Sequence, residues 1–423
     1  MKKIEFKKLG ETIYYDECEC GLPIYLWVNE RVSNFYATLS VKYGSIDTKF
    51  KVKDKEYTVP NGIAHFLEHV KFNESADTTA HDYFNKLGAS INAFTTFEYT
   101  SYEVYGTENL KEDVTHLLDY VYTPYFTDKA TAKEKSIIIE EVKMGANRPT
   151  QQLYYQMNNN LFHQDNHRFL VTGTEEDVKS ITTDDIKLVY NTFYHPKNMF
   201  LVITGNFNPY EIASLVKEVM RKKNIPKYLN PVKIYAKEEE SVVNKEQDIT
   251  GNVAIPKIRI SYKIPKKRFK KYSDLDTLTY LRLLLNANFG ATSDLRADLL
   301  EKELITKLGT ESYIVGDYVI ISLVCETKYP HELEKILINA MNNLSITKNR
   351  LSRRAKCNYA EGIYGFDDIE YVNTMVQDFI IHFNGIDNEY FERIKNLNID
   401  IARDILKSLK LDNYSILTME PEE

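Results

Sequence analysis

His65-Phe-Leu-Glu-His69 is the stretch that most constrains this chain. On a helix, positions i, i+3 and i+4 share one face, so His65, Glu68 and His69 all point at one spot. Two imidazoles one turn apart can hold Zn²⁺, and a carboxylate beside them can take a proton from water that the metal activates. The order H-x-x-E-H is the inverse of the commoner H-E-x-x-H. Such a motif requires a partly buried helix and a second element that delivers a further ligand. The alternative is a chance match in a chain with nine His.

A catalytic zinc site takes three protein ligands and leaves one position for water. The best source of a third ligand is Lys133–Met144, where Ile137, Ile138, Val142 and Met144 among charges predict a helix. Glu134 and Glu141 are seven apart, two helical turns, and share a face, whereas Glu140 is rotated by about 100° from Glu141. Glu141 is therefore the expected metal ligand. Glu134 is expected to orient a ligand or the water from behind.

A chain of 423 residues exceeds one ordinary core, and two domains of about 200 residues are expected. Net charge is −7, which argues against a nucleic-acid or anionic-membrane surface. The basic run Lys266–Lys271 reads as a solvated loop. Four Cys (18, 20, 325 and 357) form no disulfide framework and fit a reducing cytoplasm. Cys18-Glu-Cys20, just before Gly21, reads as a turn rather than a metal pair. The charged start Met1–Lys8 lacks the apolar core of a secretory signal, and no apolar run approaches the ~18 residues of a membrane span.

Strands are expected at Ile24–Asn29, Phe35–Tyr43, Ser90–Thr96, Tyr99–Tyr105 and Met199–Thr204 from their β-branched and aromatic content. Helical periodicity marks Leu110–Tyr122, Asp128–Met144, Gln151–Phe162, Thr183–Phe193 and Tyr210–Lys223, and Asn61 is the expected N-cap of the His65 helix. A charge-rich stretch at 225–245 reads as a linker, dividing the chain into domains 1–230 and 231–423. The second half echoes the first at an offset of about 220. Lys86-Leu-Gly88 and Lys307-Leu-Gly309 each stand before a predicted strand pair, Glu108–Tyr122 answers Lys328–Asn342, and Glu141 answers Glu361. His65, Glu68 and His69 fall on Leu285, Asn288 and Phe289, so only the first copy keeps the metal motif.

With these residues in place, the chain resembles the insulinase/pitrilysin-type zinc peptidases, which include the mitochondrial processing peptidase, and looks closest to the bacterial YmfH-like branch. The likeness rests on Gly62–His69, Leu87-Gly-Ala-Ser-Ile-Asn-Ala-Phe-Thr95, Lys135–Glu141, Gly173-Thr-Glu-Glu and Tyr194–Met199. It implies an α+β fold: two homologous domains, each an antiparallel sheet backed by helices, forming half of a clamshell chamber. One zinc would be held by His65, His69 and Glu141 in the N-terminal domain, with Glu68 as general base. Asn92, Ala93 and Phe94 match the edge strand on which the family holds its peptide. Many members also carry an Arg and a Tyr, seven apart, that contact the substrate carbonyl. The matching segment here, Leu299–Lys307, offers Leu300 and Lys307 instead. The expectation is therefore a zinc endopeptidase acting on peptides and paired with a homologous subunit that supplies Arg and Tyr, a heterodimer in preference to a homodimer. The competing reading is a peptide-binding or structural subunit of the same fold.

Overall fold

The computed structural model describes residues 1–422 as two compact units. The first comprises Met1–Lys143, Phe169–Tyr235 and Gly362–Glu389, and the second the remainder, so the chain passes between them more than once.

The first unit holds β1 (Lys2–Phe6), β2 (Glu11–Glu17), β3 (Pro23–Val28), β4 (Phe35–Val41), β5 (Lys49–Val52), β6 (Lys55–Thr58), β7 (Ser90–Thr95), β8 (Thr100–Gly106), β9 (Met199–Gly205) and β10 (Val232–Lys233). Seven of them form one sheet in the order β1-β2-β3-β9-β4-β8-β7, and β10-β5-β6 form a small second sheet. β1 and β2 were not expected; their charged residues hide the alternation that marks a strand. Cys18–Gly21 makes the turn between β2 and β3, closed by Gly21 N–H donating to the Cys18 carbonyl at 2.8 Å.

The apolar run of β9 is buried from end to end because both faces of the sheet are covered. On one face pack α1 (Ile63–Lys71), α2 (Ala80–Lys86) and α3 (Leu110–Tyr122), in a core that includes Leu39, Phe66, Leu67, Tyr102, Leu117 and Ile203. On the other lies the helix Ile369–His382, joined by polar contacts: Thr38 donates to Asn373 at 2.8 Å and Ser40 to Gln377 at 2.9 Å. Asn373 Nδ2 in turn donates to the Tyr36 and Val202 carbonyls, both at 3.2 Å.

The second unit holds β11 (Glu246–Gly251), β12 (Lys257–Pro265), β13 (Lys307–Val315), β14 (Tyr318–Glu326) and β15 (Tyr414–Pro421), in the order β11-β15-β12-β14-β13. Strand for strand this is β3-β9-β4-β8-β7 again. The neighbours β3 and β9 are parallel, as are β11 and β15, and every other pair in the two series is antiparallel. The two domains are thus homologous, with one correction: each sheet is mixed, because its last strand in sequence inserts in parallel beside an earlier one, β9 beside β3 and β15 beside β11. A second correction concerns Lys307-Leu-Gly309, which lies inside β13, whereas Lys86 ends α2 and Leu87-Gly88 precede β7.

The stretch read as a linker is anchored at Glu238. Its carboxylate accepts the backbone N–H groups of His163, Gln164 and Asp165 at 2.7–2.9 Å and Lys263 Nζ at 2.8 Å. The basic run is partnered: Lys266 meets Asp274 at 3.1 Å, Lys267 meets Glu240 at 3.1 Å and Lys271 meets Asp404 at 3.2 Å. No helix among the described residues is long and apolar enough to cross a membrane.

Candidate metal centre

Helix α1 is wedged into place at both ends. Gly62 precedes it with φ +78°, and a Cβ there would stand 2.3 Å from the Thr172 carbonyl oxygen. Gly173 replies with φ +71°, where a Cβ would stand 2.8 Å from the Asn61 oxygen. Only glycine allows both backbones to approach this closely. Gly62 rather than Asn61 is therefore the N-cap residue; the Asn61 side chain donates to Asp177 at 3.4 Å instead. At the other end Lys71, fully buried, donates to the Tyr120 carbonyl and to the Thr123 carbonyl at 3.0 Å, satisfying the C-terminus of α3. Burial brings its ammonium down to about 7. Ile63, Phe66, Leu67 and Val70 face the core, which leaves His65, Glu68 and His69 on the opposite stripe.

The helix α4 (Asp128–Ala146) brings Glu141 to that stripe. His69 Nε2 stands 3.3 Å from one Glu141 oxygen, and His65 Nε2 stands 3.7 Å from the other. With metal–ligand bonds of about 2.0–2.2 Å, tetrahedral ligands sit roughly 3.3–3.6 Å apart, so these three groups fit zinc. Among the described residues they are the one His/Cys/Asp/Glu group in which such atoms all lie within 4.8 Å of one another. Glu140 points away and pairs with Lys143 at 2.8 Å. Glu134, two turns before Glu141, is buried with an oxygen 3.8 Å from His69 Nδ1, and its other oxygen accepts from Asn73 Nδ2 at 3.3 Å.

Protein charges alone give these groups unequal protonation. Burial, then His69, drives His65 down to about 4. Burial also opposes the charged form of His69, but the Glu134 and Glu141 carboxylates outweigh it and lift His69 to about 9. Burial raises Glu68 to about 7, against the hydroxyl of Thr95, which donates to Glu68 Oε2 at 2.6 Å. Burial pushes Glu134 up as well; the neighbouring His69 imidazole and a hydrogen bond from Asn73 overcome it and hold its carboxyl below the usual glutamate range. Two carboxylates, Glu134 and Glu141, thus face the His69 imidazole while His65 is held neutral, and a neutral imidazole is the form that binds a metal.

These groups line a cleft of about 670 Å³ with Phe72, His81, Val171 and Thr172, and its other wall is β7 with Asn92, Ala93, Phe94 and Thr95. β7 is the last strand of its sheet, so one edge of its backbone is unpaired within the sheet. Thr96 N–H bonds to the Tyr99 carbonyl at 2.8 Å, and Phe94 lies opposite Ser101. Hydrogen-bonded positions alternate along an antiparallel ladder, so Ile91, Ala93 and Thr95 turn their N–H and C=O groups to the free edge. The Asn92 side chain lies on the sheet face away from α1, donating to Glu103 at 3.0 Å. Sequence reasoning passed over Thr95, Asn73 and Lys71. Thr95 closed the motif Leu87–Thr95, but nothing in its type marked it as a partner of Glu68.

Residues 35–172 match the insulinase model, peptidase family M16, and residues 180–353 match the M16 inactive domain. The zinc protease YmfH of Bacillus subtilis is 35% identical over 364 residues, 84% of this chain and 85% of that one. The chain belongs to the M16 peptidase family. An M16-like peptidase from Alicyclobacillus acidocaldarius superimposes on this M16 protein with a TM-score of 0.91 at 25% identity, over 97% of this chain and 99% of that one. The periplasmic protease PqqL of Escherichia coli shares the fold, with a TM-score of 0.74 at 15% identity, over 96% of this chain and 47% of PqqL. His65, Glu68, His69, Glu134 and Glu141 all fall in the segment matching the insulinase model. In the second unit, Leu300 is exposed on the helix Asp294–Glu301, and Lys307 opens β13.

Proposed function

We propose that this M16 protein is a zinc-dependent endopeptidase that hydrolyses peptides, with the metal held by His65, His69 and Glu141. The observation that carries this reading is the convergence of three candidate ligands, two imidazoles and a carboxylate, at zinc spacing beside a buried carboxylate, Glu68. Zinc in that position supplies Lewis acidity, which acidifies water and polarises a carbonyl. Glu68 takes the proton of the attacking water and delivers it to the amine nitrogen as the C–N bond breaks and the new C–O bond forms. Glu134 fixes the His69 ring through Nδ1. Asn92, Ala93 and Phe94 hold the substrate as an added strand, with main-chain bonds at Ala93.

Within this reading the cleft is one wall of a chamber, and a second, homologous subunit carries the Arg and Tyr that Leu300 and Lys307 do not replace. An absent donor of this kind costs on the order of 3 kcal/mol of transition-state stabilisation. PqqL supports the pairing, since 47% of that chain matches this one. A reducing cytoplasm fits the four free cysteines. The competing reading, a non-catalytic subunit, is disfavoured by the complete ligand set.

Cleavage of a quenched peptide library, with zinc content measured in parallel, tests the proposal. Glu68→Gln keeps its zinc and loses turnover by at least about 100-fold. A Glu68→Gln protein that cleaves normally removes Glu68 from the mechanism.

A further inference from the structure

The three residues assigned to substrate on β7 do not explain how docking is matched to the general base. Thr95, the last residue of that strand, touches both. Its side chain leaves the sheet on the α1 face, where Oγ1 donates to Glu68 Oε2 at 2.6 Å. This is the one side-chain hydrogen bond to the Glu68 carboxylate that the described residues make. The nearest competitor for the hydroxyl is Thr100 Oγ1, 3.4 Å away and a weak partner at that distance. Thr95 also lies opposite Thr100 at a position whose main-chain N–H and C=O face the free edge, two residues on from Ala93.

We propose that Thr95 is a positioning residue: its main chain pairs with the bound peptide strand while its hydroxyl aims the Glu68 carboxylate at the attacking water. This inference rests on the zinc-peptidase reading above and adds a register to it. A peptide paired to Ala93 and Thr95 fixes the scissile carbonyl relative to the residue that orients the base. A Glu side chain on its own rotates about three bonds. The hydroxyl removes that freedom on the Oε2 side and leaves Oε1 for water.

The test uses zinc-loaded protein in whatever assembly the wild type cleaves, with Thr95→Val and Thr95→Ser compared on one cleaved peptide. Valine keeps the branched shape and the main chain and removes the hydroxyl, whereas serine restores it. Misplacement of a catalytic group by about 1 Å can cost roughly 100-fold. Thr95→Val is accordingly expected to lower kcat by about 10- to 100-fold with KM within about twofold, zinc content unchanged, and Thr95→Ser within a few-fold of wild type. A crystal structure of Thr95→Val should show the Glu68 carboxylate rotated from its wild-type position. Unchanged kcat in Thr95→Val, or a loss confined to KM, overturns the positioning role while leaving the peptidase reading intact. A wild type that binds no zinc and cleaves nothing in any assembly overturns both.

Discussion

His69 uses both ring nitrogens: Nε2 faces Glu141 at 3.3 Å, and Nδ1 faces Glu134 at 3.8 Å. A carboxylate behind a ligating imidazole fixes its tautomer and strengthens it as a donor, typically by 10–100-fold in metal affinity. Glu134→Gln is therefore expected to weaken zinc binding by about that factor, read by competition with a chelator, without moving the fold. Equal affinity would reduce Glu134 to a packing role. Most of the cluster was legible, because spacing on a helix dictates which side chains share a face. Glu141 and Glu140 were separable for the same reason. Thr95 and Asn73 were not legible: a hydroxyl and an amide are common on any surface, and only the fold brings them to Glu68 and Glu134.

At the scale of elements, α1 depends on the contact between Gly62 and Gly173. An alanine at 62 meets both a positive φ and the Thr172 carbonyl at 2.3 Å. Gly62→Ala is expected to cost at least about 1–3 kcal/mol, measured by denaturant unfolding. The N-cap was misread because Asn61 has the right residue type, while the geometry there is set by that backbone-to-backbone approach. Helices were legible where an apolar stripe is clean: the predicted bounds Leu110–Tyr122 and Thr183–Phe193 are the observed ones. β7 makes a separate prediction. Proline is tolerated where the N–H faces outward from an edge strand. Ala93→Pro should leave the zinc content intact and raise KM several-fold for a peptide substrate; unchanged KM would remove main-chain pairing at that residue.

The whole molecule repeats one architecture, and among the described residues the cluster His65, His69 and Glu141 stands in one copy. The repeat was visible as an offset in helices, but the parallel pair in each sheet was not, since a strand from the end of each domain returns to the middle of its sheet. The second copy is braced by Glu238. Burial pushes its carboxyl up, but Lys263 and backbone N–H groups outweigh that and hold it at about 2, below the ordinary 4.5. A depressed carboxylate contributes stability that is complete above about 4.5 and is lost as pH falls toward 2. Glu238→Gln should therefore melt below wild type at pH 7, with the gap closing between pH 4.5 and 2. A gap independent of pH would show that the charge is not what braces this segment.

The central claim is a single ion held by His65, His69 and Glu141. Anomalous diffraction at the zinc edge, on crystals of zinc-loaded protein, measures this directly. The account predicts one strong peak about 2.0–2.2 Å from a nitrogen of each imidazole and an oxygen of Glu141. No peak in the cleft, or a peak that leaves Glu141 beyond bonding reach, would contradict it.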